Sequence, residues 1–97
     1  MQTIGEEMVS RPIIIGPAIW DQLDSFDKNL KSKFVRAFRF LSRDINHPSL
    51  QVEYLKAGDR SFCRARVDPR YRFHFELKEP HNVILAIGPH RLQEIGQ

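Results

Sequence analysis

The sequence holds little that would staple it, anchor it or keep it unfolded. Of its 97 residues only Cys63 is a cysteine, so no internal disulfide can form. That fits a reducing compartment and gives no support to a secreted, disulfide-built scaffold. No run approaches the ~18 consecutive apolar residues needed to cross a bilayer. The opening segment, Met1 to Arg11, carries Glu6 and Glu7 and has no uninterrupted apolar centre, so it lacks the make-up of a secretory signal. There are no internal repeats or low-complexity tracts, and nothing in the composition suggests disorder. The four histidines and one cysteine fall at no metal-ligand spacing, which argues against a zinc site. These absences predict a soluble, cytoplasmic chain with no membrane association, no metal and no small-molecule cofactor.

What is present is core material. Hydrophobic residues make up 41% of the chain and ten are aromatic, enough for one domain of this length. That domain is expected to span residues 1–97, with 1–10 as a flexible N-terminal extension. The net charge of +3 and a pI near 9.4 are weak evidence for a polyanionic partner, because many small proteins are mildly basic. The placement of the charges is more telling than their sum.

Arg11 to Ile15 is short and β-branched and reads as a first strand, ended by Gly16-Pro17. Pro17 suits the first turn of a helix, where its missing N–H costs nothing. Ile19, Leu23 and Phe26 then recur at helical spacing, predicting a helix to about Asp27. A longer helix is predicted from about Lys28 to Ile45, with Leu30, Phe34, Ala37, Phe38, Leu41 and Ile45 as its apolar stripe. Lys31, Lys33, Arg36, Arg39 and Arg43 lie off that stripe, and Asn46-His47-Pro48 stops the helix.

After Pro48 the period changes from 3.6 to 2. Val52 to Lys56 is a plausible strand, followed by strands over Phe62 to Val67, Arg72 to Leu77 and Val83 to Ile87, with turns between them. The order reduces to β-α-α-β-β-β, an α+β fold in which an antiparallel sheet carries a two-helix hairpin on one face. Cys63, Ala65, Val67, Phe73, Phe75 and Leu77 are expected to pack on the helices. The opposite face would display Arg64, Arg66, Arg72 and His74 together. Like charges side by side across strands are mildly destabilising, so such a cluster calls for a reason.

Five short motifs, in order and at matching intervals, resemble the RelE/ParE toxin superfamily. They are His47-Pro48-Ser49-Leu50, Tyr54-Leu55-Lys56, Ala65-Arg66-Val67-Asp68, Tyr71-Arg72 and Gly88-Pro89-His90, and the resemblance spans about Ile13 to Arg91. It implies a toxin of a type II toxin–antitoxin system with an antitoxin partner. RelE- and YoeB-like members cut messenger RNA on the ribosome without a metal, the 2′-OH attacking the adjacent phosphodiester. ParE-like members inhibit gyrase instead. By position, the resemblance implies that Arg72 binds the scissile phosphate, Glu53 serves as general base, and His90 acts as phosphate ligand or general acid. Lys56, Arg64, Arg66 and Arg91 would support the RNA backbone.

Many relatives continue past the histidine with an aspartate and, a few residues on, a tyrosine. Here Arg91 follows His90 and no aromatic occurs in Arg91 to Gln97, leaving Tyr54 or Tyr71 as the aromatics for stacking on a base. Each residue also has a plainer reading. Arg72 could be a solvated arginine of the open face, Glu53 the ion-pair partner of a nearby arginine, and His90 a turn residue. His47 reads as part of its turn, and Cys63 as an inert core thiol. Three functions stay open: a ribosome-dependent endoribonuclease, a gyrase-inhibiting toxin, and a catalytically inactive domain that only binds a partner.

Overall fold

Pro17 and Asp27 set where the two helices begin. The computed structural model describes residues 11–89; the extension expected for residues 1–10, together with His90 and Arg91, lies outside the described residues. Helix α1, Pro17–Ser25, opens with its proline in the first turn and buries Ile19 and Leu23. Trp20, off that stripe, is half-exposed. Asp27 does not end α1 but caps helix α2, Lys28–Arg43: its carboxylate accepts from the Leu30 N–H at 2.8 Å, satisfying one of the four orphan donors at the helix start. Phe34, Ala37, Phe38 and Leu41 are buried along the predicted stripe. The helix closes two residues before the expected Ile45, at Arg43. His47 then starts a short 3-10 helix, Pro48–Leu50, by accepting the Ser49 N–H on Nδ1 at 3.1 Å.

The sheet has five strands: β1, Ile13–Ile14; β2, Glu53–Ala57; β3, Arg60–Arg66; β4, Tyr71–Glu76; and β5, Asn82–Pro89. Their spatial order is β1-β5-β4-β3-β2. The chain order is therefore β-α-α-β-β-β-β: each of the five strand segments read from the sequence forms, one more than the reduced order counts. The sheet is also mixed rather than wholly antiparallel. Three hairpins fix the direction of β5, and β1 meets it running the same way, Ile13 beside Asn82 and Ile14 beside Val83. No helix among the described residues is long and apolar enough to cross a membrane.

One face of the sheet packs on the helices as the alternation predicts: Cys63, Ala65, Phe73 and Phe75 are buried. The core is largely aromatic. Phe38 meets Phe73 edge-on at 5.0 Å, and Phe34 packs against both Phe26 at 5.6 Å and Tyr71 at 6.0 Å, distances at which ring quadrupoles add to area burial. Two expectations need correction. Leu77 is 45% exposed, because the β4–β5 ladder ends with Glu76 opposite Val83 and Leu77 falls beyond it. His74 is only 1% exposed, although it occupies the predicted face; the ring of Phe62, on the neighbouring strand, sits 5.0 Å from it. The open face is thus part apolar at one end and basic at the other.

Phe34 joins both helices to β4, so Phe34→Ala is expected to cost ~3–5 kcal/mol, read as a lowered urea midpoint with an unchanged slope.

Candidate functional site

Residues directly opposite one another in a sheet share a face. Glu53 stands opposite Arg64, and Arg66 opposite Arg72, so β2, β3 and β4 bring one carboxylate and three guanidinium groups together on the side away from the helices. Arg64 donates from both Nε (2.9 Å) and Nη2 (2.6 Å) to the same oxygen of Glu53, Oε1. The second oxygen, Oε2, makes no hydrogen bond among the described residues. The ion-pair reading of Glu53 is thereby realised, through one oxygen only.

Arg72 is held from behind. Its Nη1 donates to the carbonyls of Asp68 at 2.7 Å and Tyr71 at 3.0 Å, while its other donors make no hydrogen bond among the described residues. Burial, and then the nearby charges of Arg66 and Arg64, lower the proton affinity of this guanidinium; Glu53 and Asp68 partly offset them. A guanidinium remains charged under such a shift, so its cost appears in stability rather than in lost charge.

Asp68 organises the β3–β4 turn. Its Oδ1 accepts the N–H groups of Arg70 and Tyr71 at 2.8 and 2.9 Å, and its Oδ2 accepts from Lys33 Nζ on α2 at 3.2 Å. Burial pushes this carboxyl up, but the bonds from Arg70, Lys33 and Tyr71 and the Lys33 charge bring it below its usual range. Asp68 closes one of the family-like motifs, but no role is assigned to it from sequence. The signal was an aspartate two and three residues ahead of backbone N–H groups it can cap.

Other expected members are elsewhere. Lys56 lies three positions after Glu53, an odd step, and stands opposite Ser61, so it belongs to the face opposite the arginines. Tyr54 shares that face and is 66% exposed, whereas Tyr71 is engaged with the core rings of Phe26 and Phe34. Neither tyrosine lies on the arginine face. Arg64, Arg66, Arg72 and Glu53 are brought together; His90 and Arg91 lie outside the described residues. Among the described residues no group of His, Cys, Asp and Glu could hold a metal ion. Burial pushes the Cys63 thiol up to about 11, which leaves it protonated and unreactive at neutral pH.

Two stability measurements test this electrostatic arrangement. Arg66→Gln removes a like charge directly opposite Arg72 and is expected to stabilise the fold by ~0.2–1 kcal/mol in urea titration. Asp68→Asn is expected to cost about 1–2 kcal/mol at neutral pH. Because the Asp68 carboxyl is lowered from 3.8, its contribution is complete above that value and is lost as the pH falls through the lower folded-state value. The gap in urea midpoint between wild type and Asp68→Asn should therefore be constant near neutrality and shrink below pH 3.8.

No protein-family model matches the chain, and no curated protein matches it either. Solved structures do. The archaeal RelE–RelB complex from Pyrococcus horikoshii OT3 contains a chain with a TM-score of 0.67 and 23% identity, covering 89% of this chain and 100% of that one. A chain of the YoeB–YefM complex from Staphylococcus aureus gives 0.66 at 17% identity, over 82% and 97% of the two chains. A conserved hypothetical protein from Helicobacter pylori, solved in solution, gives 0.59 at 18% identity over 82% and 94%. At these identities the likeness is one of fold, and the chain has the fold shared by these RelE-like toxins.

Proposed function

We propose that this chain is the toxin of a type II toxin–antitoxin system and that it cuts messenger RNA at the ribosome. The observation that carries the reading is the cluster of Arg64, Arg66 and Arg72 on one open sheet face, with Glu53 among them. Three adjacent guanidinium groups cost stability, and a polyanion that crosses strands is the ligand that offsets that cost. The fold shared with RelE and YoeB supports the same substrate class.

RNA cleavage of this kind needs only proton transfers and charge stabilisation. A base takes the proton of the 2′-OH as its oxygen bonds to phosphorus, the P–O5′ bond breaks, and an acid protonates the departing 5′-oxygen, leaving a cyclic phosphate. Arg72 suits the phosphate, since its Nη1 is fixed to carbonyls while its other donors make no hydrogen bond among the described residues. Glu53 would use Oε2 as base, with Arg64 steadying Oε1. Arg66 would neutralise the neighbouring phosphate, and His90 would serve as acid.

The neighbours RelE and YoeB were solved with RelB and YefM, which supports an antitoxin for this chain as well, laying acidic groups over the basic face. One observation favours a different reading. The Glu53–Arg64 bond occupies the candidate base, as expected of a member that acts by binding alone, on gyrase or on a partner protein.

Induced expression of wild type beside Arg72→Ala, with primer extension on a reporter message, separates these readings. Wild type is expected to arrest growth and cut within codons, and Arg72→Ala to lower cutting ~100-fold or more. Arrest with intact transcripts and DNA damage would move the chain to the gyrase class. Harmless wild type would leave the inactive member.

A further inference from the structure

We infer that the cleft between α2 and the end of β3 is a second phosphate-binding position, which takes the RNA strand flanking the bond to be cut. It rests on the reading of Arg72 as the group that holds the scissile phosphate. The cleft has a volume of about 290 Å³ and is lined by Lys33, Arg36, Phe40, Ser49, Arg66 and Asp68, among others. That is near the ~300 Å³ lower end of ligand clefts, a size for one nucleotide unit.

Its charges are unequally committed. Among the described residues Asp68 is the sole carboxylate in the wall, and it is already taken by Lys33 and the N–H groups of Arg70 and Tyr71. Arg36 and Arg66 have no carboxylate partner among the described residues. Arg36 is placed by its own helix: its guanidinium lies over the ring of Phe40, 5.5 Å from the centroid. Phe40 in turn stacks on His47 at 4.0 Å and 8°. A guanidinium fixed over an aromatic plane is a preorganised fork for phosphate oxygens.

Arg66 connects this cleft to the arginine cluster. It lines the cleft and stands directly opposite Arg72 across the strands. A strand with one phosphate at Arg72 thus has a continuous cationic path through Arg66 to Arg36. A path of spaced single cations matches a backbone with one charge per nucleotide, which favours RNA over an acidic peptide as the occupant.

The test uses the full chain and a short single-stranded 2′-O-methyl RNA, whose blocked 2′-oxygen prevents cleavage, titrated over a range of KCl concentrations. Arg36→Gln is expected to weaken binding roughly tenfold at low salt. It should also flatten the slope of log K against log salt by about 0.7, one contact to a single strand. Arg39→Gln, an exposed change on the same helix outside the cleft, should leave the slope unchanged. Equal effects of the two variants would overturn the site in favour of a diffuse field. So would an Arg36→Gln protein that binds like wild type while Arg72→Ala is weakened; in that case the Arg72 reading survives alone. If Arg36→Gln weakens binding and Arg72→Ala does not, the cleft stands and the Arg72 reading falls. Failure of wild type to bind RNA, with Arg36-dependent binding of polyglutamate, would overturn the inference and assign the cleft to an acidic peptide.

Discussion

One carboxylate joins the three parts of this molecule that must agree for the basic face to exist. Asp68 closes the β3–β4 turn through two backbone N–H groups, reaches α2 through Lys33, and by its carbonyl fixes one end of Arg72. Each bond alone is modest, on the order of 1 kcal/mol. Their geometry does more than their sum, because they converge on a turn with little freedom of its own. Tyr71, held by the same carboxylate, packs its ring against both Phe26 and Phe34. The position of Arg72 is thereby referred to the aromatic core.

The cost of the arginine cluster is carried by the other face of the same sheet. Phe73 and Phe75, on either side of His74 in β4, are fully buried, each supplying a few kcal/mol of apolar burial. Like-charge opposition across strands takes back less than that. A one-sided sheet can hold such a cluster because its two faces are set independently by a period of two. Glu53 moderates the repulsion by neutralising Arg64, which is also what makes its availability as a base conditional.

Most of this was legible in residue order. The apolar stripe of α2, the buried set on β3 and β4 and the facing of Arg64, Arg66 and Arg72 follow from period alone. The placement of Lys56 was legible too, since an odd step from Glu53 sends it to the face opposite the arginines. Pairing partners were less accessible. Nothing local to Ile13 and Ile14 says that they lie parallel to Asn82 and Val83, and nothing local to Glu53 says which arginine it meets, since register depends on hairpin geometry. The burial of His74 depends on Phe62, a neighbour only once two strands are in register. The cleft beside Arg36 needs three separate segments to form its walls, so no motif could announce it.

The parallel pairing of β1 with β5 also governs when the molecule becomes complete. Ile13 and Ile14 are among the first described residues and their partners among the last, with both helices and three strands between them. The meander can build from near neighbours as each hairpin closes, but the first strand has no docking edge until the last is in place. Contacts of this sequence separation slow folding relative to local ones. During synthesis, then, the sheet reaches its full width only after the chain through Val83 has left the ribosome. The turn that fixes Arg72, built from residues a few positions apart, can close well before that.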